Sequence, residues 1–155
     1  MFAVVAVAAY AIDVATKILA VERLSGADVE LAGTWLVLHL TRNPGAAFSA
    51  GTEFTLLLTA IAIAAAAVVI YLARRVGTRA WAWALGLLLA GVCGNLTDRI
   101  FREPGFLRGH VVDFMELPHW PVFNVADMLI DAAVILIIVQ TWRGIGITGA
   151  RHPRS

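Results

Sequence analysis

The chain has 155 residues, 60% of them hydrophobic, and a mean hydropathy of +0.81. Soluble domains of this length are nearer half apolar, so the composition points to a membrane. A net charge of +1 offers no basis for nucleic-acid binding, and the single cysteine, Cys93, excludes an intramolecular disulfide or a cysteine-rich metal site.

The first apolar stretch, residues 1–20, is long enough to cross a bilayer, which takes about 20 residues. It lacks the basic start of a signal peptide and carries Asp13 and Lys17 where a cleavage site should be, so it reads as a retained helix. Residues 21–53 follow. Within them Trp35-Leu36-Val37-Leu38-His39-Leu40-Thr41 is apolar and β-prone, between Gly33 and Asn43-Pro44-Gly45, and predicts a strand. The second span covers residues 54–73, with the small-residue run Ala60–Ala67 suited to close helix packing. Arg74, Arg75 and Arg79 crowd the short loop before the third span, residues 80–101, which ends in Asn95, Asp98 and Arg99. Residues 102–121, with Pro104-Gly105, His110 and Asp113, read mostly as loop. The fourth span, residues 122–142, opens with Asn124 and Asp127 and is followed by Arg143, Arg151 and Arg154. At 1.5 Å per residue, Asp127 is expected roughly 8 Å below the start of that helix.

The expected whole is a single integral membrane domain over residues 1–155, all-α, with four transmembrane helices. The arginine-rich loop and tail put both termini in the cytoplasm by the positive-inside rule. Arg99, Arg102 and Arg108 then lie on the outer side, against the usual bias, which suggests that some of them serve the site. His39, His110, His119 and His152 lack the spacing of a helical zinc motif, so no metal site is expected.

With this topology, nearly every polar residue of the spans falls in one layer at the outer interface. Asp13 precedes Lys17 by four residues, the favourable order for a helical ion pair. Asn95, Asp98 and Arg99 share a helix face, as do Asn124 and Asp127. Asp131, one turn deeper, is the main exception. Ionisable groups at membrane depth are expensive and mark functional sites. Asp127, in the fourth span, and Asp113, in the loop just outside the membrane, have no adjacent base to neutralise them. A carboxylate pair at a membrane surface can share one proton and activate a water, the chemistry of an aspartic protease. A proton-coupled transporter or channel is the alternative reading. It should place polar groups at successive depths, or carry inverted repeats with broken helices.

Five blocks carry a resemblance: Asp13-Val14-Ala15-Thr16-Lys17, Arg42-Asn43-Pro44-Gly45-Ala46-Ala47-Phe48-Ser49, Gly94-Asn95-Leu96-Thr97-Asp98-Arg99, Val111-Val112-Asp113-Phe114 and Phe123-Asn124-Val125-Ala126-Asp127. In this order the chain resembles the bacterial lipoprotein signal peptidases (signal peptidase II), and His119-Trp120 has the same look. The resemblance implies a catalytic dyad of Asp113 and Asp127. It implies substrate binding by Asn43 and Arg99, and support from Asp13, Lys17, Gly45, Asn95, Asp98 and Asn124. It further implies a small extracytoplasmic β-sheet cradle, and a place in the bacterial cytoplasmic (inner) membrane with the active site at the extracytoplasmic face. The implied substrates are diacylglyceryl-modified prolipoproteins, cut on the amino side of the modified cysteine. The expected partners are these substrates and membrane lipid, with the enzyme a monomer needing no cofactor, metal or thiol. Three residues depart from the family pattern: Cys93, Met128 and Asp131. The last adds a carboxylate below Asp127 and is expected to influence the pair only slightly.

Overall fold

Four helices carry the apolar segments among the described residues of the computed structural model, namely 1–45 and 52–151, with only the backbone described for Thr52 and Glu53. Ala46, Ala47, Phe48 and Ser49 of the second block, and His152 and Arg154, lie outside the described residues. The helices are α1 (Phe2–Arg23), α2 (Thr52–Ala73), α3 (Arg79–Phe101) and α4 (Val125–Trp142), and the strands are β1 (Val29–Glu30), β2 (Val37–Asn43) and β3 (Val111–Glu116). All four helices are long and apolar enough to span a membrane. Even α4, the shortest with 18 residues, rises about 27 Å, close to a hydrocarbon thickness of about 30 Å.

α3 is the centre of the bundle and packs against α1, α2 and α4. Its small residues let the partners approach. A Cβ on Gly91 would lie 2.5 Å from the Ala126 carbonyl oxygen of α4, and one on Gly94 would lie 2.3 Å from Asp13 Oδ2 of α1. Such close contact is how helices associate where lipid removes the hydrophobic drive between them. Leu, Ile and Val side chains on α1, α2 and α4 face outward, the natural exterior of a protein solvated by acyl chains.

One end of the bundle carries the sheet, ordered β1-β2-β3 and antiparallel throughout. It rests on Ala20 of α1 and on Leu24, the residue that caps that helix, through Val112 and Phe114. At the opposite end, Val69, Trp81 and Leu85 pack with Ile145 and Ile147, and Gly77 N–H donates to the Ile147 carbonyl at 2.9 Å. The two arginine-rich segments, the α2–α3 loop and the stretch after α4, therefore share one face of the molecule.

Two sequence expectations shift. Asp113 lies in β3, not in a loop; Val111-Val112-Asp113-Phe114 becomes a strand because β2, some seventy residues earlier, supplies its hydrogen-bond partners. α4 begins at Val125, three residues later than expected, because Asn124 caps it. The Asn124 side chain accepts from Asp127 N–H while Asp127 accepts from Asn124 N–H, a reciprocal capping box. Asp127 therefore sits in the first turn, shallower than the sequence suggested.

Candidate active site

Asp127 is on the first turn of α4 and Asp113 is at the middle of β3. A β-bulge sets what faces Asp113. β2 and β3 pair as Leu38 with Met115, then as Thr41 with Asp113 and Asn43 with Val111, so one extra β2 residue is accommodated between them. A one-residue shift moves every side chain to the opposite face. Without it Arg42 would share the face of Asp113; with it Asn43 does, and Arg42 is exposed.

The Asn43 Nδ2 donates to Asp113 Oδ2 at 2.8 Å. Its amide cannot turn round, because Gly45 N–H donates to Asn43 Oδ1 at 2.8 Å. Gly45 holds a φ of +106°, which a side chain would strain. The other oxygen of Asp113 accepts from Asn124 Nδ2 at 2.6 Å. Asp113 is 2% exposed, and burial pushes its carboxyl up to about 6, against the pull of the Asn43 and Asn124 donors. The neighbouring Asp127 pushes in the same direction as burial.

Asp127 accepts from Asn95 Nδ2 at 2.9 Å through Oδ1 and from Asn124 N–H at 3.1 Å through Oδ2. Asn124 thus holds both carboxylates at once, one by its side chain and one by its backbone. Behind them stands Lys17, 1% exposed. Its ammonium meets Asp13 at 3.0 Å, Asp98 at 2.9 Å and Asn95 Oδ1 at 2.9 Å. Asp98 also accepts from Arg102 and from Val112 N–H, and Asp13 accepts from Ala126 N–H at 2.8 Å. Two cations and two carboxylates balance in this buried cluster. Removing one partner alone would leave an uncompensated charge costing about 3–5 kcal/mol.

The expected site residues therefore converge. Asp13 and Lys17 come from α1, Asn43 from β2, Gly45 from the turn after it, Asn95, Asp98 and Arg99 from α3, Asp113 from β3, and Asn124 and Asp127 from the start of α4. Arg99 lies within electrostatic reach of Asp113, Asp98 and Asp127. Its Nη1 is buried with no hydrogen-bond partner among the described residues. A cavity of about 480 Å³ opens onto the pair, lined by Asn43, Asp113, Trp120, Phe123, Asp127 and Asp131 among others.

The sequence pattern described as Signal peptidase (SPase) II matches residues 5–143. The chain belongs to the signal peptidase II family. Similar proteins include the lipoprotein signal peptidases of Leifsonia xyli subsp. xyli, 46% identical with 98% of this chain and 71% of that one covered, and of Rhodococcus jostii, 47% identical with 96% and 75% covered. The corresponding protein of Mycobacterium tuberculosis (strain ATCC 25618 / H37Rv) is 43% identical, with 96% and 75% covered. Two solved structures described as bacterial membrane enzymes share the fold. One has a TM-score of 0.79 at 28% identity, covering 89% of this chain and 90% of that chain. The other has a TM-score of 0.75 at 25% identity, covering 97% and 93%. The chain is thus a peptidase and a multi-pass membrane protein.

Several residues that shape this candidate site are not apparent from sequence. Thr55 and Thr59 of α2, each 1% exposed, donate to the Pro44 carbonyl at 2.7 Å and the Leu107 carbonyl at 2.9 Å. They tie down the turn after Asn43 and the loop before β3. Their only sequence signal is two hydroxyls four residues apart on an otherwise apolar helix. Arg102 pairs with Asp98, so this arginine is answered by an acid.

Proposed function

We propose that the chain is an aspartic endopeptidase that removes signal peptides from diacylglyceryl-modified prolipoproteins, cutting on the amino side of the modified cysteine. The observation that carries this reading is Asn124, which ties Asp113 and Asp127 to one residue at the mouth of one cavity. Two carboxylates about 5 Å apart repel by roughly 3 kcal/mol at an effective dielectric of 20, enough to favour a shared proton. Asp113, whose carboxyl is raised, holds that proton and polarises the scissile carbonyl. Asp127 takes a proton from the water between them, and that proton later leaves with the departing amine. Arg99, whose Nη1 has no hydrogen-bond partner among the described residues, and the Asn43 amide hold the peptide backbone so that its carbonyl meets the water.

The site lies at the extracytoplasmic face of a bacterial inner membrane with both termini cytoplasmic, and the enzyme works as a monomer on substrate arriving through the bilayer. Two features support this: both arginine-rich segments share the face opposite the sheet, and the buried charged side chains Asp13, Lys17, Asp98 and Asp113 all lie at the sheet end. A transporter would need such groups at successive depths. The deciding experiment incubates purified enzyme with a lipidated and an unlipidated peptide containing the cysteine. Only the lipidated one should be cut. Asp113→Asn and Asp127→Asn should each lower the rate at least about 10²–10⁴-fold with folding intact. Near-wild-type cleavage by either variant would refute the dyad.

A further inference from the structure

Asp131 lies one turn further along α4 than Asp127, exposed on that helix and lining the same cavity. Nothing among the described residues donates a hydrogen bond to it or forms an ion pair with it. The other side-chain acceptors of the cavity are already engaged. Asn43 Oδ1 accepts from Gly45, both oxygens of Asp113 accept from Asn43 and Asn124, and both oxygens of Asp127 accept from Asn95 and Asn124. The walls beside Asp131 (Val122, Phe123 and Met128) have no side-chain oxygen. A carboxyl group in a membrane-spanning helix is costly unless it has a task.

Peptide cleavage at this depth creates that task. A signal peptide crosses the membrane as a helix with its backbone satisfied internally, and it must be extended where it is cut. Extension strips backbone N–H groups of their partners, and each one unpaired in an apolar cavity costs on the order of 1–3 kcal/mol. Four residues of helix place Asp131 about 6 Å from Asp127 along α4. An extended chain advances about 3.3 Å per residue, so 6 Å is about two residues. The amino side of the scissile bond is the one that runs back into the membrane.

We infer that Asp131 is a substrate-binding residue: its carboxyl accepts the backbone N–H of the second residue on the amino side of the scissile bond. The inference rests on the reading of Asp113 and Asp127 as the dyad. Asp131 takes no part in the chemical step and selects the extended over the helical form of the substrate.

The test compares two lipidated peptides on the purified full chain in lipid nanodiscs. They are identical except that one has an ester oxygen in place of that N–H. Wild type should cut the ester analogue roughly three- to tenfold less efficiently in kcat/KM. Asp131→Asn, which keeps an acceptor, should retain this preference. Asp131→Leu should lose a similar factor on the all-amide peptide and treat the two substrates alike, and Asp131→Ala serves the same purpose should the leucine variant not fold. A merely structural role would lower both substrates equally and leave their ratio unchanged; an undiminished ratio in the leucine or alanine variant would overturn the assignment. An Asp127→Asn enzyme that still cut both peptides with the wild-type ratio would defeat the dyad and leave the acceptor role standing.

Discussion

Asn43 and Asn124 do for Asp113 what no charged residue could do without abolishing its usefulness. Each donates one N–H to a carboxylate oxygen, so the aspartate is held in place without being fully neutralised. Burial outweighs these donors and raises the Asp113 carboxyl to about 6. The sign follows directly: if the free enzyme needs Asp113 protonated, kcat/KM falls as pH rises through about 6. Asn43→Ala removes a donor that favours the ionised form, so the alkaline limb should move upward by roughly one unit while overall activity drops. A pH–rate profile of the variant checks this, and a downward shift would contradict it. The same raised carboxyl links to stability: its contribution is fully present below the ordinary carboxylate range and is lost as pH rises through about 6. At this scale the sequence was informative. The charged and amide residues of the spans were legible as costly groups in an apolar context, whereas Thr55, Thr59 and the pairing were not. The sequence puts Asp98 on one helix face with Asn95 and Arg99, yet its partners are Lys17, Arg102 and Val112 N–H.

Elements decide how those residues meet. The strand at β2 was legible from its β-prone run, but β3 was not, because its hydrogen-bond partner is remote in sequence. The bulge was invisible too, although it determines that Asn43 and not Arg42 faces Asp113. The late start of α4 was signalled by Asn124 followed three residues later by an acid, a capping pattern that hydropathy alone overrides. Between helices, α3 and α1 approach closely at Gly94. Gly94→Ala would set its Cβ 2.3 Å from Asp13 Oδ2 and 3.3 Å from Ala126 Cβ. It should destabilise the protein by about 1–3 kcal/mol and loosen α4 from α3, lowering cleavage as well. Thermal unfolding in detergent with a parallel activity assay measures both, and an unchanged midpoint would show that α1 yields more easily than the packing implies.

Across the whole molecule, the charged network occupies one end of an apolar bundle and the arginine-rich segments the other. That asymmetry makes a topology prediction. In a Cys93→Ala background, an impermeant maleimide applied to cells whose outer barrier is opened should label Thr34→Cys, beside the sheet, and should not label Arg75→Cys. Labelling of the second alone would invert the orientation. Four membrane spans, the layer in which their polar residues collect and the identity of two candidate carboxylates follow from sequence alone, because hydropathy and the cost of burying charge are properties of short stretches of chain. The tertiary structure alone decides which donor holds which carboxylate, which face β2 presents, and that Asp131 opens into the same cavity as Asp113 and Asp127. Those are contacts between distant segments, some more than a hundred residues apart, such as Ala126 N–H with Asp13, and no local pattern encodes the geometry in which distant segments pack.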